Sequence, residues 1–114
     1  MPTYIDIAKQ FGDLIAKSEF AAAHRLLTAD AQAVRTPDDV KEAVEAMHTY
    51  APGPIQEVDV LEDYILEDWA DEQSGDMAIA YVALAGDGFE EAVTVTLVKH
   101  GSDFRIRHLE WGRP

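Results

Sequence analysis

The chain changes its residue pattern once, at Ala51-Pro52-Gly53-Pro54. Before this point apolar residues recur every three or four positions, as they do along one face of a helix. After it, runs rich in β-branched residues are separated by short turns that contain glycine, as in strands joined by hairpins. Because the helical half precedes the strand half, the pattern predicts an α+β domain with its helices on one face of an antiparallel sheet.

Three helices are predicted in the first half. Thr3 opens the first, with Asp6 in the position of a capping-box acid. Ser18 is a second candidate cap, with a short helix that begins at Glu19. Thr36-Pro37-Asp38-Asp39 is the strongest start signal, because it combines an N-cap hydroxyl, a proline at the first helical position and acids that face the helix dipole.

Four strands are predicted in the second half, and short turns between them indicate an antiparallel meander. Their expected ranges are residues 55–69, 77–85, 89–99 and 104–111. The first range alternates imperfectly. On the last, His108 and Glu110 share one face, and Leu109 and Trp111 share the other. The alternation leaves open which pair faces the helices, or whether a bulge mixes them.

Composition restricts the classes of function. The 114 residues fit a single domain, 1–114. The chain has no cysteine, which excludes disulfides, thiolate metal sites and a cysteine nucleophile. Its formal charge of −13 argues against binding to nucleic acid or to an anionic membrane. No secretory leader and no apolar stretch of about 20 residues is visible, so we expect a cytoplasmic protein.

The negative charge is concentrated in one part of the chain. Residues 42–98 contain 14 acidic side chains and no Lys or Arg, whereas residues 99–114 contain 4 basic and 2 acidic side chains. The charge therefore belongs to the end of the third predicted helix and to the first three strands. A segregated acidic sheet favours a cationic protein as partner.

Two stretches resemble domains of the nuclear-transport-factor-2-like superfamily. Residues 11–27, FGDLIAKSEFAAAHRLL, are similar to the long helix and short helix that open those domains, and residues 104–111, FRIRHLEW, are similar to their last strand. The resemblance implies a cystatin-like cone, in which three helices pack in a curved sheet of about four strands around a pocket. It also implies a homodimer through the outer sheet face. Ketosteroid isomerases, polyketide cyclases, dehydratases, immunity proteins and domains that only bind share this architecture.

An isomerase-like site in such a cone requires a base near the substrate and a donor that polarises its oxygen. The candidate bases are His24, His108 and Glu110. The candidate pocket residues are Tyr50, Trp69, Tyr81 and Trp111, of which Tyr50 and Tyr81 are also candidate donors. Each has a plainer interpretation: a hydrogen-bonded, partly buried histidine at position 24, a solvated His-Glu pair on the last strand, and aromatic core.

Two functions follow from these features. The first is a small non-enzymatic binding domain with an acidic surface that suits a cationic protein partner, which includes an immunity-protein-like role. The alternative is an isomerase-, cyclase- or dehydratase-type enzyme that acts on a hydrophobic carbonyl ligand in the cone pocket. The histidines lack the spacing of metal ligands, so we expect no metal and no cofactor.

Overall fold

The protein is an α+β domain in which four helices precede a four-stranded sheet. The structure, a computed structural model, describes residues 3–50, 53–67, 69, 75–101 and 103–112. In these residues the elements are α1 (Tyr4–Ala16), α2 (Phe20–His24), α3 (Ala29–Val34), α4 (Pro37–Tyr50), β1 (Glu57–Val60), a 3₁₀ turn (Glu62–Tyr64), β2 (Asp76–Gly86), β3 (Phe89–His100) and β4 (Asp103–Trp111). The strands pair antiparallel in the order β1-β2-β3-β4, which confirms the predicted class and meander. None of the described helices has the length and apolar character needed to cross a membrane.

Two predicted helix starts are confirmed. The Thr3 backbone N–H donates to the Asp6 carboxylate at 2.9 Å, and the Asp6 N–H donates to the Thr3 hydroxyl at 3.2 Å. Thr36 and Asp39 form the same reciprocal pair at 2.8 and 3.1 Å at the start of α4. Both boxes satisfy backbone donors that a helix N-terminus otherwise leaves unpaired.

The predicted second cap is wrong, and one helix was not predicted. Glu19, not Ser18, is the N-cap of α2, and it makes no side-chain capping bond. Ser18 instead adopts a φ of 59° in the turn after α1. The unpredicted helix, α3, begins after Thr28, whose hydroxyl accepts from the Ala31 N–H at 3.2 Å. α3 buries none of its residues completely, so its sequence carries no apolar stripe to reveal it.

The core lies between α1 and the inner face of the sheet, defined here as the face that packs against the helices. α1 buries Ile7, Ala8, Phe11, Gly12 and Ile15. The inner face contributes Val60, Ala80, Val82, Leu84, Val93, Val95, Leu97, Ile106 and Leu109. A Cβ atom added at Gly12 would lie 2.5 Å from Val58 and 2.8 Å from Val82. Glycine therefore allows the helix to approach the sheet closely.

The first strand is shorter than predicted. Pairing with β2 ends at Val60, where the 3₁₀ turn leads the chain away from the sheet edge. The chain then returns, because Leu66 and Ile79 exchange two backbone hydrogen bonds of 3.0 and 2.8 Å. The predicted range 55–69 thus follows one edge of β2 but is interrupted, which explains its imperfect alternation.

Two bulges lie opposite each other across β3. Met77 in β2 and Arg107 in β4 have no cross-strand partner, since Asp76 pairs with Val98 and Ala78 with Leu97, and Ile106 pairs with Leu97 and His108 with Thr96. An extra residue in one strand bends the sheet locally. The β4 bulge resolves the open question about this strand. Ile106, Leu109 and Trp111 pack inward, and His108 and Glu110 lie on the outer face and are exposed.

Candidate functional site

Four exposed carboxylates frame one end of the outer sheet face. Cross-strand pairing places Ala85 between Glu57 of β1 and Glu90 of β3, and Ala83 beside Asp59. Glu110 of β4 lies opposite Thr94 in the next row of the same face. We call the exposed residues Glu57, Asp59, Glu90 and Glu110 the acid quartet.

The floor between these acids consists of small side chains. Ala83 and Ala92 are paired on the outer face, yet their exposures are only 7% and 0%. Neither belongs to the core cluster beneath the sheet. The side chains around them therefore cover nearly all of their surface. A partner on this face meets those surrounding side chains, and its cationic groups can reach the quartet.

An apolar strip adjoins the acid quartet on the same face. Tyr81 of β2 belongs to the cross-strand row that ends at Glu110, and its ring lies 5.8 Å from that of Tyr64. Tyr64 is 64% exposed, and Leu66, which pairs with Ile79, is 50% exposed. We call Tyr64, Leu66, Ile79 and Tyr81 the tyrosine strip. Tyrosine is enriched among the residues that dominate protein interfaces.

The arginines near this face are already bonded within the protein. Arg107 holds Asp76 with two hydrogen bonds, Nε to Oδ1 at 2.9 Å and Nη2 to Oδ2 at 2.8 Å. Arg105 donates from Nη1 to the carbonyl of Arg25 at 2.6 Å. Arg107 and Asp76 thus compensate each other, whereas the acid quartet forms no ion pair with a described residue.

The structure places the three candidate bases in different surroundings. His24 donates from Nε2 to the carbonyl of Arg35 at 2.5 Å, which matches the plainer interpretation of a hydrogen-bonded, partly buried histidine. His108 is exposed and lines a groove beside α3. Glu110 belongs to the acid quartet. These contacts do not bring the three together into an acid–base constellation.

The four candidate pocket residues are also dispersed. Tyr81 lies on the outer face, whereas Trp111 packs inward with its ring 6.4 Å from that of Phe11. Trp69 is partly buried. The side chain of Tyr50 lies outside the described residues. The predicted aromatics therefore do not all line one cavity.

One opening of about 220 Å³ does lie between α4 and the inner sheet face. It is lined by Ala43, Ala46, Met47, Glu91, Trp111 and Gly112. The Trp111 indole Nε1 is buried and has no hydrogen-bond partner in the described part of the chain. None of the candidate bases lines this opening. The lining of this opening is thus apolar apart from Glu91.

The outer-face site was missed because it depends on pairing. Glu57 and Asp59 are two positions apart, so the sequence shows that they share one face of a strand. Only the register shows that this face points outward and that Glu90 lies on it. Tyr64 and Leu66 fall in the range predicted as regular strand, and no sequence signal marks the 3₁₀ turn that exposes them.

Neither metal ligation nor relatives identify the site. No group of three or more His, Asp or Glu side chains within the described ranges could hold a metal ion. Comparisons with protein-family models, with curated proteins and with solved structures give no match for this chain.

Proposed function

We propose that the protein is a non-enzymatic binding module whose outer sheet face binds a cationic segment of another protein. The observation that carries this proposal is the acid quartet, four exposed carboxylates around a floor of alanine. The remaining features of the face agree with it, since the tyrosine strip supplies apolar contact area beside the charges.

The spacing of the quartet favours joint action on one partner. Glu57 and Glu90 lie two strands apart in one row, a separation of about 10 Å for strands spaced about 4.8 Å. This is close to the Debye length of about 8 Å at physiological ionic strength, so a bound cation interacts with more than one carboxylate. Complementary charges of this kind chiefly raise association rates and specificity.

A defined basic peptide tests the proposal. The probe is a short lysine-rich peptide with a single tryptophan, and its affinity is measured by calorimetry at increasing salt. The binding variant carries Glu57→Gln, Asp59→Asn, Glu90→Gln and Glu110→Gln. The matched control carries Glu19→Gln, Asp38→Asn, Glu42→Gln and Glu45→Gln, which are four exposed acids in the helical half of the chain.

The quartet variant should bind the peptide about tenfold more weakly or worse, a loss of about 1.4 kcal/mol. The control variant has the same net charge but keeps the site, so it should retain most of the affinity. Affinity of the unaltered protein should fall as salt rises. Equal losses in both variants would show a general effect of net charge and would contradict a site on the outer face.

We propose the same face for the predicted homodimer, because the tyrosine strip leaves large apolar side chains exposed there. A second copy and the basic peptide then compete for one surface. Light scattering on the protein with and without peptide measures this competition, and the peptide should shift dimer toward monomer. A monomer at every concentration would contradict the homodimer but would not bear on the proposal that this face binds a cationic partner.

The nuclear-transport-factor-2-like cone remains our proposal for the detailed architecture. It is supported by the seating of α1 on the inner sheet face and by the two bulges that bend the sheet. We assign the apolar opening beside Trp111 no function within this proposal.

A further inference from the structure

A groove of about 370 Å³ lies on the opposite edge of the sheet from β1, between α3 and β4. Its apolar lining is Leu27, Ala31, Val34 and Leu109. Leu27 and Leu109 are buried at its floor, and Val34 is 84% exposed at its lip. The volume is at the small end of the range of ligand sites, and the floor can bury an apolar ligand body.

Backbone pairing fixes the geometry of this groove. The Thr28 N–H donates to the carbonyl of Ile106, and the Ile106 N–H donates to the carbonyl of Leu26, both at 2.8 Å. The segment before α3 thus lies parallel to β4 and pairs with its edge at one residue. α3 then begins beside the part of β4 that follows the bulge. Both walls are secondary structure, so the groove exists without a ligand.

Two arginines, Arg35 and Arg107, line the groove in a chain whose formal charge is −13. Arg107 is oriented by Asp76, whose side chain is fully buried, through Nε and Nη2. Its Nη1 makes no hydrogen bond to the described residues, and the side chain is 28% exposed. Arg35 forms no ion pair with an acid among them, although it acts on Asp39 over a longer distance.

The charges that face these arginines define the class of ligand. Asp30 is the acid of the lining, and His108 is its remaining titratable group. Because Asp76 already compensates Arg107, Arg35 is the cation of the lining that no described acid pairs with. The exposed Asp30 brings the formal charge of the lining, counted with Asp76, to about zero. A dianion such as a phosphate monoester would therefore be left strongly undercompensated, whereas a monocarboxylate adds the smaller negative charge and matches the planar fork of an arginine.

We propose that the groove between α3 and β4 binds a small monocarboxylate with an apolar body. The carboxylate contacts Arg35 and the Nη1 edge of Arg107. The apolar body covers Leu27, Ala31 and Leu109 and contacts Val34 at the lip. This site is separate from the outer-face quartet and does not depend on the proposed protein partner.

Octanoate is a suitable probe, with octan-1-ol and octylamine as matched ligands of equal length and different charge. Binding is measured by the shifts of backbone amide resonances during titration with octanoate to about 10 mM, which detects dissociation constants in the millimolar range. The three ligands are compared at one lower concentration at which octan-1-ol is still dissolved. Shifts should be saturable and centred on residues 27–35 and 107–109. Octan-1-ol should bind about tenfold more weakly than octanoate, and octylamine more weakly still.

Arg35→Met removes the guanidinium and keeps an unbranched apolar side chain about as long as the aliphatic part of arginine, so octanoate affinity should fall about tenfold. Arg25→Met is the control, because it removes an exposed arginine outside the groove. Val34→Asp should also weaken octanoate, since it adds a negative charge at the lip. Arg107 is unsuitable for this test, because its removal would leave the buried Asp76 carboxylate without its cationic partner and would destabilise the domain.

Three results would overturn the proposal. The first is the absence of saturable shifts with octanoate while the amide spectrum stays folded. The second is equal binding of octanoate and octan-1-ol, which would indicate an apolar surface with no preference for carboxylate. The third is an equal effect of Arg35→Met and Arg25→Met, which would place the contact outside the groove. None of these results bears on binding of the basic peptide to the acid quartet.

Discussion

The two ends of the outer sheet face differ in whether their carboxylates are buried in an ion pair or exposed without one. At the end with the bulges, Asp76 is fully buried and is held by two hydrogen bonds from Arg107. At the other end, the acid quartet is exposed around Ala83 and Ala92, and none of its four members forms an ion pair with a described residue. A buried carboxylate requires a partner within the fold, whereas an exposed one does not. The end with the Asp76–Arg107 ion pair therefore stabilises the fold, and the end with the acid quartet is available to a partner.

The buried ion pair gives the largest expected effect. Arg107→Met leaves the Asp76 carboxylate without its cation in the interior, so we expect the free energy of unfolding to fall by about 3–5 kcal/mol. Asp76→Asn should cost less, because Arg107 is 28% exposed and can be solvated in part. Urea unfolding followed by circular dichroism measures both.

The exposed ion pair between Lys9 and Asp13 on α1 is the natural control. It joins Nζ to Oδ1 at 2.7 Å, but both side chains are about half exposed, with 46% and 41% of their surface accessible. Lys9→Met should change the free energy of unfolding by less than about 1 kcal/mol. If Arg107→Met cost no more than Lys9→Met, the distinction between a structural end and a binding end of the face would be lost.

The acid quartet should affect stability weakly and in the opposite direction. Its carboxylates repel one another and form no ion pair with a described residue. At low salt the quartet variant should therefore be slightly more stable, with a free energy of unfolding that is higher by less than about 1 kcal/mol. The gain should shrink as salt rises, because these charges are exposed. A loss of stability would show that the acids make contacts that support the fold, and would weaken their assignment to a partner.

The same comparison shows what the sequence can and cannot reveal. Thr3 and Thr36 can be predicted as caps because the residues that signal each cap, Asp6 for Thr3 and Pro37 with the two acids after it for Thr36, lie within one turn of chain. Asp76 and Arg107 lie 31 residues apart, and they meet only because two bulges change the register across β3. Hydrophobic alternation carries no information on a single inserted residue, so neither the pair nor the outward direction of His108 and Glu110 could be read from it.

The functional surfaces were partly visible for the same reason. The concentration of acids in residues 42–98 was clear from the sequence and led to the expectation of a cationic partner. The groove beside α3 was not, since α3 lacks an apolar stripe and its wall depends on pairing between Leu27 and Ile106 across 79 positions. Long-range pairing of irregular segments is the information that periodicity omits.

The smallest expected effect concerns Asp39 on α4, a carboxylate that is hydrogen-bonded, like Asp76, but exposed, like the acid quartet. The backbone N–H of Thr36, and then its hydroxyl, hold the pKa of Asp39 below its usual value, and Arg35 adds to this effect. A lowered pKa in the folded state means that the carboxylate stabilises α4 above its unfolded pKa. This contribution is lost as the pH falls through the folded pKa.

Urea midpoints should therefore fall more between pH 5 and pH 3 (about two units around the ordinary value) in the unaltered protein than in Asp39→Asn. Because the group is exposed, the difference should be small. An identical pH dependence in both proteins would mean that the capping box at α4 is not maintained in solution.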